Sequence, residues 1–114
     1  MRIRQVALAA SDLERADAIL CRLLGCHESY SDPEIIYFGL DNRLYTVGDC
    51  FLEVVSSVQP NTAAGRFLER RGGDGGYMVI VQVEDLAQEQ TRLSDTSIRT
   101  VFADARGNAK AIHL

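Results

Sequence analysis

Tryptophan is absent from these 114 residues, proline and histidine occur twice each, and cysteine three times. Cysteines 21, 26 and 50 are odd in number and lack Cys-x-x-Cys spacing, which excludes a disulfide framework and a paired-cysteine metal site and suits a reducing cytosol. No apolar run approaches the ~18 residues that cross a bilayer, and Met1-Arg2-Ile3-Arg4-Gln5 has no secretory apolar stretch. A cytoplasmic protein without a membrane partner is expected. Twelve basic against sixteen acidic residues, a net charge of −4, argue against nucleic acid as a general partner. Four tyrosines and four phenylalanines leave little surface for stacking on a ligand. The length suits one domain over residues 1–114, burying about 65% of its unfolded surface.

What is present is an echo. Gln5-Val6-Ala7-Leu8-Ala9-Ala10-Ser11-Asp12-Leu13-Glu14 returns 73 positions later as Met78-Val79-Ile80-Val81-Gln82-Val83-Glu84-Asp85-Leu86-Ala87. Each copy runs from an apolar strand through an acidic cap into a helix. The register makes Gln5 and Met78 equivalent points of two half-modules.

The coarse elements follow from periodicity and punctuation. Arg2–Ala9 is a strand, and Ser11-Asp12-Leu13-Glu14 fits a capping box with Ser11 as the cap. Leu13, Ala16, Leu20, Leu23 and Leu24 form an apolar helical stripe that Gly25 ends in a left-handed cap. Extended segments are expected over Cys26–Tyr30 and Glu34–Leu40, with Asp41-Asn42 as a turn. Leu44–Val47 and Cys50–Ser56 make a hairpin through Gly48-Asp49. Asn61 or Thr62 caps a connecting helix that stops at Gly72-Gly73. Strand Tyr77–Val83, a helix from Asp85 through Leu93, and strands Ile98–Phe102 and Ala109–Leu114 complete the chain. The second half has no fourth strand, so either the sequence is truncated or another chain covers its apolar last strand.

Alternation in Phe51-Leu52-Glu53-Val54-Val55 puts Glu53 on one face with Phe51 and Val55. A carboxylate among apolar neighbours suits a hard cation or a proton-transfer base, or is a strand glutamate hydrogen-bonded to a neighbour. Gly72-Gly73-Asp74-Gly75-Gly76 precedes a strand and lacks Gly-Lys-Ser/Thr, so it reads as a linker, not a phosphate loop. Arg66, Arg70 and Arg71 with Glu69 read as a solvated helix face, or as arginines that could meet an anionic substrate.

A repeated strand–helix–three-strand unit resembles the vicinal oxygen chelate superfamily, which includes glyoxalase I, methylmalonyl-CoA epimerase and the bleomycin-resistance proteins. The first strand of epimerase- and glyoxalase-like members, D-H-I-x-I-A-V-x-D-L, is similar to Arg4-Gln5-Val6-Ala7-Leu8-Ala9-Ala10-Ser11-Asp12-Leu13. The pattern F-L-E-K-R-G-x-G resembles Phe67-Leu68-Glu69-Arg70-Arg71-Gly72-Gly73, and x-x-F-L-E-L-V resembles Asp49–Val55. The resemblance implies an α+β fold. Tandem βαβββ modules (1–59 and 77–114, joined by a helical link over 60–76) would form a curved mixed sheet around a cavity, the second lacking its last strand.

The same resemblance implies four metal positions, usually His, Glu or Gln, His and Glu. Here they are Gln5, Glu53, Met78 and a residue of the missing strand. Gln5 is a weak oxygen ligand, and the Met78 thioether suits a soft cation, so a divalent metal at Glu53 and Gln5 is disfavoured. Met78, Ile80, Gln82 and Phe51 are instead candidates to line a cavity, Met78 because its flexible side chain fills irregular space. Core packing for Met78 and a wet strand end for Gln5 are the plain alternatives. His27 and His113 fall on no metal position; His113 could serve as acid–base group, or simply be packed or solvated.

Two functions remain open. One is a glyoxalase- or epimerase-type lyase or isomerase that abstracts a proton next to a carbonyl, using Glu53 as base or ligand and Gln5 as an electrophilic contact. The other is a metal-free small-molecule binder of the resistance type. Either takes a small-molecule ligand, and a homodimer is expected.

Overall fold

In the computed structural model, residues 1–106 and 109–114 are described. The order is β1 (Arg2–Ala9), α1 (Leu13–Leu24), a 3-10 helix (Pro33–Phe38), β2 (Leu40–Val47), β3 (Cys50–Ser57), α2 (Ala63–Arg71), β4 (Gly75–Gln82), α3 (Leu86–Ser94), β5 (Phe102–Arg106) and β6 (Ala109–His113). The chain divides into two compact units, Ile3–Val81 and Met1–Arg2 with Gln82–Leu114. None of the described helices is long and apolar enough to cross a membrane.

The larger unit is built on a four-stranded mixed sheet in the order β2-β3-β1-β4. β3 runs parallel to β1 and antiparallel to β2. Val54 and Val55 are adjacent on β3, so they face opposite sides, and each anchors a separate core. Val54 packs with Ala10, Tyr45 and the α1 residues Leu13 and Leu20. Val55 packs with Ala9, Leu40 and Ala64 of α2. Each fully buried leucine or valine contributes about 2 kcal/mol, so one helix on each face holds β3 in the centre.

The helix starts and stops follow local chemistry. Asp12 caps α1 by accepting from the Arg15 amide at 3.0 Å, and Gly25 ends it in the left-handed region at φ 67. The expected cap at Ser11 is corrected. Its amide and hydroxyl both donate to Asp74 Oδ1, at 2.9 and 2.8 Å, and Glu14 reaches Arg43 at 2.8 Å. Asp85 caps α3 as Asp12 caps α1, which bears out the echo at its acidic position. Thr62, not Asn61, caps α2. The apolar stripe of α1 also needs correction: Leu23 is 74% exposed, and Cys21 packs inward in the last turn.

The segment between α1 and β2 differs most from expectation. Residues 26–30 form no strand; only a bridge between Tyr30 and Leu44 remains. Over 34–40 the β-branched and aromatic residues form a 3-10 helix instead. Asp32 accepts from the Glu34 amide, Pro33 opens the first turn, and Gly39 closes it at φ 70. Ile35 and Phe38, three apart, then both pack on the Val55 core. Asp41 and Asn42 belong to β2, not to a turn.

In the smaller unit β5 and β6 pair antiparallel, Phe102 opposite His113. β5 begins later than expected, because the Thr96 amide and hydroxyl both donate to Leu93 O and its hydroxyl accepts from the Ile98 amide. Such local bonds hold a turn where alternation suggested a strand.

The two candidate caps are separable by experiment. Asp12→Ala is expected to cost about 1 kcal/mol of stability and to speed hydrogen exchange at the Arg15 amide. Ser11→Ala should leave Arg15 protected. Urea unfolding with amide exchange checks both; equal exchange in the two variants would contradict Asp12 as the cap.

Candidate functional site

Strand register puts one carboxylate between two carboxamides. Glu53 on β3 pairs directly with Ala7 of β1 on one side and Leu44 of β2 on the other. Gln5 and Asn42 occupy the diagonal positions, two residues away on those neighbouring strands, within reach of a long side chain. The Asn42 amide donates to Glu53 Oε1 at 2.6 Å, and the Gln5 amide donates to Oε2.

Asn42 cannot turn around. Its own oxygen accepts from the Asp32 backbone amide at 2.9 Å, which fixes its NH2 toward Glu53. Asp32 is itself set by the 3-10 helix that it caps. Glu53 is 6% exposed and Asn42 1%. Burial pushes the Glu53 carboxyl above the ordinary glutamate value of 4.5; the bonds from Asn42 and Gln5 pull it down, and the charge of Asp32 adds to the rise. The net direction is upward because two neutral amides replace less than the full hydration of a carboxylate.

Of the residues expected from sequence, Gln5 and Glu53 are brought together. Phe51 lies two positions from Glu53, opposite Gln5 in the strand register, with the Arg4 guanidinium 4.6 Å above its ring. Met78 and Ile80 sit on β4, beside β1 in the sheet, Met78 half-buried and Ile80 exposed. Tyr77 points to the other side of β4 from Met78, with its ring 5.1 Å from that of Phe67 on α2. Gln82 accepts from Arg2 at 3.2 Å. His113 lies in the smaller unit, edge-on to Phe102 at 5.3 Å.

The residue that sequence reasoning missed is Asn42. With Asp41-Asn42 taken as a turn, its alternation with Leu40 and Leu44 went unused. A polar residue between two apolar ones on a buried strand face was the available signal. A second cluster was missed on the opposite face. Asp17 on α1 accepts from the Tyr45 hydroxyl at 2.6 Å and the Ser29 hydroxyl at 2.8 Å. Burial opposes ionisation of Asp17, yet these bonds, a weak one from Cys21 and the charge of Arg43 hold its carboxyl below the usual range.

A divalent cation does not fit the Gln5–Glu53 pair as it stands. Gln5 turns its NH2, not its oxygen, toward the carboxylate, and both Glu53 oxygens already accept from amides. A hard cation needs several oxygens turned to one point. Among the described residues no three His, Cys, Asp or Glu side chains are grouped to hold a metal.

No family model matches the sequence, and no curated protein sequence matches it. Solved structures do match. Methylmalonyl-CoA epimerase from Mycobacterium tuberculosis superposes with a TM-score of 0.79 at 23% identity, over 98% of this chain and 78% of that one. A Streptomyces coelicolor methylmalonyl-CoA epimerase in complex with 2-nitronate-propionyl-CoA gives 0.73 at 17% identity, over 99% and 87%. A hypothetical protein from Bacillus halodurans gives 0.73 at 11% identity, over 98% and 83%. The chain therefore has the vicinal oxygen chelate fold of these epimerases, an α+β architecture with a four-stranded mixed sheet and a two-stranded one.

The raised carboxyl links Glu53 to stability. Below about pH 4.5, Glu53 is protonated in folded and unfolded chains alike. As pH rises above that, the unfolded carboxyl ionises first, so the contribution of Glu53 to stability is lost progressively until the folded carboxyl ionises too. Glu53→Gln removes this dependence. Urea unfolding across that pH range should show the wild type losing stability relative to the variant; parallel curves would contradict a raised Glu53.

Proposed function

We propose that this chain binds a small organic metabolite on the sheet face carrying Glu53 and moves a proton next to the metabolite's carbonyl group. The observation that carries the reading is the buried Glu53 carboxyl, held between Gln5 and Asn42 with its pKa raised. An ionised carboxylate that is hard to keep ionised is a stronger base, and general bases of this kind accelerate proton transfer by about 10²–10⁴-fold. Likeness in fold to methylmalonyl-CoA epimerases, one solved with methylmalonyl-CoA bound, supports a carbonyl-bearing substrate.

In this reading Glu53 takes the proton from the carbon beside the carbonyl. Asn42, fixed by the Asp32 amide, stays on Oε1 and keeps the carboxyl group in place. Among the described residues the Gln5 side chain bonds only to Glu53, so its amide can swing. Once Glu53 is protonated, Gln5 can donate to the substrate oxygen as negative charge develops there. Phe51, two positions from Glu53 on the same face of β3, supplies apolar surface. No step runs through a metal.

A second reading, binding without chemistry, is favoured by one observation: both Glu53 oxygens are already engaged. Incubating the chelator-treated chain with methylmalonyl-CoA in D2O, followed by NMR, separates the two. Exchange at the carbon between the carbonyls that exceeds the buffer rate, resists chelator and falls ~100-fold in Glu53→Gln supports catalysis. Ligand-induced thermal stabilisation without exchange supports the binder.

A homodimer accompanies either reading. β4 is the outer strand of the four-stranded sheet, with Val79, Ile80 and Val81 exposed. An apolar edge of this kind invites pairing. Sedimentation equilibrium is expected to give twice the chain mass, and Val81→Lys should shift it toward the monomer. A monomer at every concentration would remove association from the proposal.

A further inference from the structure

Where α1 ends, the two positions that normally touch across a left-handed helix cap are both cysteine. Gly25 adopts φ 67, and its amide and that of Cys26 both donate to Cys21 O, the latter at 3.1 Å. In this cap the first and last residues of the six-residue loop bring their side chains into contact. Here both of those side chains are thiols. Both cysteines are reduced and half-buried, and both pack against the Val54 core.

Their surroundings differ. Cys26 lines a surface cavity of about 190 Å³ with Leu24, Glu28, Tyr30 and Leu44. Cys21 does not line it and has Asp17 as a weak acceptor at 3.7 Å. A small molecule in the cavity thus meets Cys26, whose amide bonds to Cys21 O across the helix cap.

We propose that Cys21 and Cys26 form a dithiol modification site for a low-molecular-weight disulfide, with Cys26 attacking first and Cys21 resolving. The Cys26 thiolate attacks one sulfur of the small disulfide. That S–S bond breaks, and the first small thiolate leaves and takes up the proton that Cys26 gave up. Cys21 then attacks the Cys26 sulfur, the mixed disulfide breaks, and the second small thiolate leaves with the Cys21 proton. The protein dithiol is oxidised by two electrons to a Cys21–Cys26 disulfide, and one small disulfide is reduced to two thiols.

The assignment of roles also agrees with acidity. The neighbouring Cys26 thiol above all, then burial and the charge of Asp17, push the Cys21 thiol up to about 11, which makes it a poor first nucleophile. The site is independent of the Glu53 face, which lies on the other side of the sheet. It differs from Cys50, whose thiol donates to Ile3 O at 3.1 Å and has no cysteine partner.

The test uses oxidised glutathione on the native full chain, followed by digestion without reduction. Trypsin cuts after Arg22, between the two cysteines, so their disulfide appears as two linked peptides and needs no comparison of activity. The wild type is expected to give that linked pair. Cys21→Ser should accumulate one glutathione on Cys26, and Cys26→Ser should react at Cys21 at least about tenfold more slowly. Glutathione on Cys50 with Cys21 and Cys26 both free would overturn the site. So would a linked pair formed only in urea, and equal rates at the two single cysteines would overturn the assigned order.

Discussion

A buried carboxylate must find donors, and Glu53 finds two on its neighbouring strands. This constraint orders much of the larger unit. Asn42 can donate to Glu53 only if its oxygen is taken, which requires the Asp32 amide at 2.9 Å. Asp32 presents that amide because it caps the 3-10 helix, and the helix stops at Gly39 just before β2 begins. The irregular segment between α1 and β2 is therefore part of the site's support. Leaving one buried polar partner unmatched costs about 1–3 kcal/mol, and among the described residues no buried side-chain polar atom lacks a partner.

Some of this was legible in the sequence and some was not. The echo between Asp12 and Asp85, the left-handed Gly25 and the Glu53 face all rest on local signals, and each is present in the structure. Gln5 emerged through family register, as a residue standing where a ligand usually does. What failed were places where a side chain chose between two local partners. Ser11 and Asp12 both could cap α1, and Ser11 was drawn to Asp74, which is distant in sequence. Residues 34–40 have strand-like composition, but a capping Asp, a Pro and a Gly outweigh propensity over so short a span. Asn42 was lost with its turn assignment, since only the pairing of β2 with β3 shows that it faces Glu53.

The pairing of Gln5 with Glu53 follows a different logic from that of a metal site. Histidine and carboxylate converge on a cation by pointing lone pairs at it. Gln5 and Glu53 instead satisfy each other, donor to acceptor, so the pair is complete without a third party. Conversion to a metal site would need Gln5 to flip and a donor to leave Glu53. Asn42 is held from both sides, by Glu53 and by the Asp32 amide, whereas among the described residues the Gln5 side chain bonds only to Glu53. The asymmetry between the two amides thus limits the chemistry available to the carboxyl between them.

The sheet also separates two carboxyl groups by environment. Asp17 and Glu53 sit on opposite faces, and both are pushed toward neutrality by burial. Asp17 ends below its usual range because hydroxyl donors and a nearby arginine favour its charge. Glu53 ends above its range because burial outweighs its two neutral amide donors, and the charge of Asp32 adds to the rise. Groups with pKa values driven apart in this way are suited to different work. Asp17 is a fixed acceptor that anchors Tyr45 and α1 to the sheet. Glu53 is the one whose carboxyl is held above the ordinary glutamate value. The same sheet thus holds one carboxyl charged and pushes the other toward its neutral form.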